Sequence, residues 1–180
     1  MNKVLVDWTD ATKLTAQVLS SYGALLVAND RVDKPNVMTI GWATWGIIWG
    51  KPIMTVLVHP SRYTYQFIEQ ADSFTVNLPP LEMADVATFC GTVSGRDYDK
   101  FKEKNLTAVR GKRVSASYID ECIVHFECRI VFKNYVTPDM LSGDITAGCY
   151  ANGDFHTIYY GEIVGCYANE TLQLGDGKNT

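Results

Sequence analysis

The apolar residues of this chain come in short runs, each closed by a proline, a glycine or a polar turn, and that punctuation leaves little room for anything except short strands and short helices. Residues 23–29 (GALLVAN) read as a buried strand. A polar turn from Asn29 to Lys34 follows, and Pro35 sets the next strand over 37–44. Lys51-Pro52 opens a third, 53–58, rich in β-branched residues. His59-Pro60-Ser61 ends it and places Ser61 to cap a helix over 62–70. Residues 74–78 form a further strand, stopped by Pro79-Pro80. Residues 82–90 carry a helical period, with Met83, Val86, Ala87 and Cys90 on one face. A second short helix is predicted from near Asp97 over 98–104. Strands return at 119–132, 144–150 and 156–168, and the tail after Asn169 is polar. Many short strands with few helices predict a mainly β chain closed into a barrel or a split barrel, because closure removes exposed edges. The strict strand–helix alternation of a doubly wound sheet is missing.

Composition narrows the class. A chain of 180 residues fits one domain, and 47% hydrophobic with 20% charged residues supports a sizeable core. The first twenty residues hold Asp7, Asp10 and Lys13 among single apolar residues, so no signal peptide is expected. No uncharged apolar run reaches the ~18 residues of a membrane span, so a soluble, cytoplasmic protein is expected. A net charge of −4 argues against a nucleic-acid partner. It leaves room for a phosphate-bearing cofactor, which needs only two or three local cations. The five cysteines are odd in number and form no C-x-x-C pair, so reduced, mostly buried thiols are expected rather than a zinc or disulfide framework. Three histidines without H-E-x-x-H give no reason to expect a metal.

Four segments can carry chemistry. In Met38-Thr39-Ile40-Gly41-Trp42-Ala43-Thr44, period 2 puts Met38, Ile40, Trp42 and Thr44 on one side and the small Thr39, Gly41 and Ala43 on the other. A small, slightly polar face lets a flat ring lie close to the backbone; tight sheet packing is the alternative. Arg62-Tyr63-Thr64 sets a guanidinium, a ring and a hydroxyl near a helix start, a place that suits phosphate or, equally, solvent. Gly91-Thr92-Val93-Ser94-Gly95-Arg96-Asp97-Tyr98-Asp99-Lys100-Phe101 offers glycines, hydroxyls and two cations, an anion cradle without the closing Gly-Lys-Ser/Thr of a P-loop. Gly153-Asp154-Phe155-His156 opens the last strand, where His156 either reaches a cofactor edge or serves as a structural hydrogen-bonder. His125 reads as structural and His59 is undecided. Cys90 and the cluster Trp42, Trp45 and Trp49 read as core packing. No catalytic triad is visible.

Taken in order, these segments are similar to the flavin reductase-like family, in its flavoredoxin branch. The matching stretches are Asn36 to Thr44, His59-Pro60-Ser61-Arg62-Tyr63-Thr64, Phe74-Thr75-Val76-Asn77, the Cys90 to Phe101 loop and Gly153 to Val164, within a core of about 23–168. The resemblance implies an FMN-binding split β-barrel working as a homodimer, with each flavin near the subunit interface. Carried over by position, Met38, Thr39, Trp42, Ala43 and Thr44 flank the isoalloxazine and ribityl chain. Arg62, Thr64, Ser94, Arg96 and Lys100 serve the phosphate end, Asn77 the flavin's polar side, and Asn36, Tyr63 and Gly95 complete the cofactor set. His156 is the candidate on the nicotinamide side. Reductases of the family often show paired serines where this chain has Gly41-Trp42, and the indole there narrows the site. The activity implied is transfer of a hydride from NAD(P)H to FMN and onward to free flavin, a redox partner protein or a metal ion. The alternatives are a flavoredoxin-type electron carrier without a nicotinamide site, and a non-catalytic split barrel holding another ligand.

Overall fold

The computed structural model describes residues 2–174 and is mainly β with a few short helices. The elements run β1 (Lys3–Leu5), a 3-10 turn at Trp8–Ala11, α1 (Thr12–Ser21), β2 (Ala24–Asn29), β3 (Pro35–Ile40), β4 (Ala43–Ile48), β5 (Lys51–Val58), α2 (Tyr65–Ile68), β6 (Ser73–Leu78), a 3-10 turn at Leu81–Met83 and α3 (Ala84–Thr92). They continue with α4 (Lys100–Glu103), β7 (Ala108–Arg110), β8 (Ser117–Ile119), β9 (Val124–Tyr135), a 3-10 turn at Pro138–Met140, α5 (Gly143–Cys149) and β10 (Thr157–Asn169). One antiparallel sheet runs β3-β2-β6-β9-β10-β5-β4, with β1 added to the far end of β10. β7 and β8 form a separate hairpin.

The sheet wraps round one core. Ala24, Leu26 and Ala28 from β2, Met54, Val56 and Val58 from β5, Phe74, Val76 and Leu78 from β6, and Val124, Phe126 and Cys128 from β9 all enter it. The two end strands, β3 and β4, do not pair with each other, so the barrel is split there. Every residue of β2 is buried because both faces are covered. Its other face, Leu25 and Val27, packs with Ala87 and Cys90 of α3 in a second cluster outside the barrel. The helical face expected over 82–90 is therefore present, with Met83 and Val86 packed at its margin.

Several expectations are corrected. β3 ends at Ile40, and Gly41-Trp42 bends the chain into β4, so the alternation expected through Thr44 stops at the bend. The strand expected over 119–132 is two, β8 and β9, parted by a turn in which Cys122 N–H donates to Ile119 O. The helix expected over 62–70 shrinks to α2; Ser61 caps nothing and donates instead to the Asp154 carboxylate at 2.5 Å. The helix expected from Asp97 starts at Lys100, because Asp99 caps it, accepting from Lys102 N–H at 3.3 Å. The strand expected over 144–150 is helix α5: no neighbouring strand is there to pair with it, and Thr146 bonds back to Ser142 O. Trp42 and Trp49 are not core residues, being 47% and 61% exposed; of the three tryptophans only Trp45 packs against the barrel core. β1 and α1 precede the expected core.

His125 is structural, as its strand position implied. It is fully buried between the rings of Tyr118 and Tyr167, at 3.9 and 5.1 Å. Four of the five thiols are buried and free, and Cys149 is exposed.

Candidate functional site

The free edge of β3 organises the site. Lys100 Nζ donates to Val37 O at 3.0 Å, so the polar groups of Val37 point away from β2. By the antiparallel alternation, the N–H and C=O of Thr39 point to the same open side. Along that side run two adjoining cavities that share Met38, Thr39 and Arg62.

The first cavity, of about 170 Å³, is lined by Arg62, Thr64, Thr92, Ser94, Arg96 and Lys100 among others. Arg62 donates to Gly91 O at 3.2 Å and Arg96 to Ser61 O at 3.3 Å, so each guanidinium is held at the rim by one backbone carbonyl. Lys100 is buried, with its ammonium on Val37 O and on Cys90 O at 2.6 Å. Burial first, and the Arg62 charge in addition, lower its pKa. Burial likewise pushes the Cys90 thiol up to about 11, against the pull of Lys100 and Lys104, so Cys90 is packing rather than a nucleophile. Ser94 Oγ accepts from Arg96 N–H at 3.2 Å, which shapes the loop. A side chain at Gly95 would sit 2.5 Å from Asn36 Oδ1 and 2.7 Å from Tyr63 Cδ1, so only glycine lets the loop come this close to β3. Three cations, the hydroxyls of Thr64, Thr92 and Ser94 and a close-approaching glycine loop form a cavity suited to an anion.

The second cavity, of about 160 Å³, is lined by Met38 to Trp42, Leu57, His59, Arg62 and His156. It is flatter in chemistry, with two imidazoles, an indole and aliphatic side chains. His59 and His156 stack with centroids 3.4 Å apart, and Trp42 lies 5.0 Å from His156. His59 Nδ1 faces the Asp154 carbonyl at 2.5 Å; a carbonyl only accepts, so Nδ1 carries the proton. His156 is buried, with Nδ1 at 2.8 Å from the Tyr150 hydroxyl. Burial first, then the His59 and Arg62 charges, lower its pKa to about 4, so it is neutral near pH 7.

The expected set therefore divides. Met38, Thr39, Arg62, Tyr63, Thr64, Ser94, Gly95, Arg96 and Lys100 come together in the first cavity, and Trp42 and His156 in the second. Asn36 stands beneath the first cavity, donating to Thr64 Oγ1 at 2.7 Å. Asn77 does not join: it is fully buried, donates to Leu25 O and Thr75 Oγ1 at 3.0 Å each, and accepts from Ile119 N–H at 3.0 Å. Its amide is spent on tying β6 to β2 and β8, and it lines neither cavity. Ala43 and Thr44 lie past the bend and line neither cavity; Thr44 bonds the Thr55 hydroxyl on β5. The second cavity adds His59, left undecided by the sequence, with Tyr150 and Asp154 behind the imidazoles. The Gly-Asp-Phe-His turn could have suggested Asp154; nothing local pointed to Tyr150.

A split barrel with a cation-lined cavity beside an aromatic slot defines the class of β protein to which the comparisons also point. The chain belongs to the flavin reductase like domain family, whose model matches residues 19–177. An uncharacterized protein of Archaeoglobus fulgidus is 32% identical over 147 residues, covering 82% of this chain and 72% of that one. Flavoredoxin from Methanosarcina acetivorans is similar in structure, with TM-score 0.66 and 29% identity over 82% of this chain and 68% of that one. Flavoredoxin of Desulfovibrio vulgaris (Miyazaki F) gives TM-score 0.66 at 26% identity, covering 82% and 69%. No helix among the described residues is long and apolar enough to cross a membrane.

Proposed function

We propose that the groove along β3 holds FMN and that the protein is an NAD(P)H-dependent flavin or acceptor oxidoreductase. The observation that carries this reading is the convergence of Arg62, Arg96 and Lys100 on one cavity that opens directly into the Trp42–His156–His59 slot. The donor set fits the cofactor: cations, the Ser94 and Thr92 hydroxyls and the Gly95 approach for the phosphate end, and the Thr39 edge amide with Met38 for the ring. When bound, FMN supplies hydride and electron transfer; the residues supply orientation and electrostatics. Arg62 lines both cavities and would hold the phosphate end of the cofactor next to its ring. Lys100, clamped on two carbonyls, contributes a fixed positive charge with little reorganisation. Neutral His156, held by Tyr150, lends a flat ring and adds no charge to the slot. Trp42 covers the open side. No general base is required.

A second reading, an electron carrier of flavoredoxin type without a nicotinamide site, is favoured by Trp42, whose indole lines the slot and narrows the access to it. A homodimer is part of the proposal. Trp49, set against Phe132 at 5.9 Å and Tyr160 at 6.2 Å, and exposed Ile47 and Tyr135 form the apolar surface that would support it. The decisive measurement is the visible spectrum of the purified protein before and after NADH or NADPH. A flavin spectrum bleached by either nucleotide is expected. Bleaching only by a reduced protein partner selects the carrier. A colourless protein that takes up no added FMN overturns both and leaves the barrel with another ligand.

A further inference from the structure

Beyond the cradle the groove does not stop. A third cavity, of about 220 Å³, shares Tyr63, Gly95, Arg96 and Lys100 with the cradle and none of its lining with the imidazole slot. The three cavities are therefore strung in a line, slot, cradle and third cavity. β3 and the bend after it run beneath all of them, from Pro35 and Asn36 through Met38 to Gly41. Over that stretch a strand advances up to about 20 Å. A mononucleotide fills the first two places and leaves the third.

The third cavity has a chemistry of its own. Tyr98, Phe101 and Phe67 give it aromatic walls, Lys34 and Arg96 bring positive charge, and Asp97 and Asp99 bring carboxylates. The Tyr98 ring is half-exposed and braced edge-on by Phe89 at 6.2 Å, so its free face is offered in a fixed attitude. Arg96 lies over Tyr63, 5.3 Å from its centroid, on the boundary between cradle and third cavity. A guanidinium there borders both cavities and would serve a phosphate on either side. An aromatic wall stacks a base, and a carboxylate accepts from ribose hydroxyls.

We propose that this cavity is an adenylate subsite, so that the groove takes the dinucleotide FAD more tightly than FMN. The inference rests on the flavin reading given above. Its test is titration of the purified chain, freed of bound flavin, with FMN and separately with FAD, followed by flavin fluorescence. FAD is expected to bind about 10- to 100-fold more tightly, the range that stacking one base on an aromatic ring supplies. Tyr98→Ala and Lys34→Ala are expected to bring FAD affinity down toward that of FMN and to leave FMN affinity unchanged. Equal affinities for the two flavins overturn the adenylate subsite while leaving the flavin site in place. So does a loss in both variants that falls equally on FMN and FAD. Binding of neither flavin overturns the flavin reading itself, and the subsite with it.

Discussion

Gly95→Ala tests the cradle at its tightest point. The added methyl carbon would stand 2.5 Å from Asn36 Oδ1 and 2.7 Å from Tyr63 Cδ1, where ordinary contact begins at 3.4 Å, so something must move by about 0.9 Å. Asn36 cannot give easily, since it is buried and its amide is bonded to Thr64 Oγ1 at 2.7 Å. The Tyr63 ring is held by Phe67 at 5.1 Å and by the Arg96 guanidinium. The loop carrying Ser94 and Arg96 is left to lift. Overpacking of this kind costs about 1–3 kcal/mol, which lowers the midpoint of a chain this size by roughly 2–12 °C. Withdrawing one charge-assisted donor from a phosphate costs about 1.5–3 kcal/mol, or roughly 10- to 100-fold in affinity. FMN titration by fluorescence quenching, with thermal unfolding of the flavin-free chain in parallel, reads both effects. Gly143→Ala is the matched control, because a methyl there meets no atom within 4 Å. Unchanged FMN affinity and an unchanged midpoint in Gly95→Ala would refute the argument that this glycine sets the loop against β3.

Three further outcomes are expected. Arg62→Ala weakens FMN binding by about 10- to 100-fold and flattens its salt dependence, measured by titration at two ionic strengths. His156, with its pKa lowered to about 4 in the folded chain against about 6.5 unfolded, binds more protons unfolded between those values. Its contribution is therefore present at pH 7 and is lost as pH falls from about 6.5 toward 4, by of order 2–3 kcal/mol. His156→Gln should show a smaller drop in denaturant midpoint between pH 7 and pH 4.5 than the parent. Asn77→Ala strands the Ile119 N–H and the Leu25 carbonyl and should lower unfolding stability by about 2–4 kcal/mol, while the FMN affinity of the folded fraction stays as it was.

The parts of this fold that were legible are those written in local pattern. The stripe Met83, Val86, Ala87 and Cys90 recurs at helical spacing, and α3 lies there. The loop from Gly91 to Lys100 displays its glycines, hydroxyls and cations in sequence, and all of its expected cofactor residues line one cavity. The failures have a common physical origin in long-range partners. Ile145, Ala147 and Cys149 alternate with polar or small residues and so imitate a strand, but a strand exists only where another offers its edge, and none does. Asn77 is assigned to the flavin by the family resemblance alone, in a strand that also holds Ser73 and Thr75. Its polarity answers Leu25 and Ile119, fifty-two and forty-two positions away. α1 escaped notice because it buries only Thr15 and Val18, too thin a stripe to register. Period 2 puts Trp42 on a strand face, and the bend at Gly41 sets it in the lining of the slot instead.

β10 lies between β9 and β5 and also carries β1 at its end, where Lys3 pairs with Asn169. It is the last strand of the described chain to leave the ribosome. Until residues 157–169 emerge, β5 and β9 have no neighbour to join them, and the earliest strand waits for the latest. Pairing over such separations is slow, on a scale of milliseconds to seconds. During synthesis the apolar strands 24–29, 53–58 and 73–78 therefore stand without a closed sheet to shelter them, the kind of surface that favours aggregation. A message interrupted before Thr157 would leave β3-β2-β6-β9 and β5-β4 unjoined and β1 without its partner.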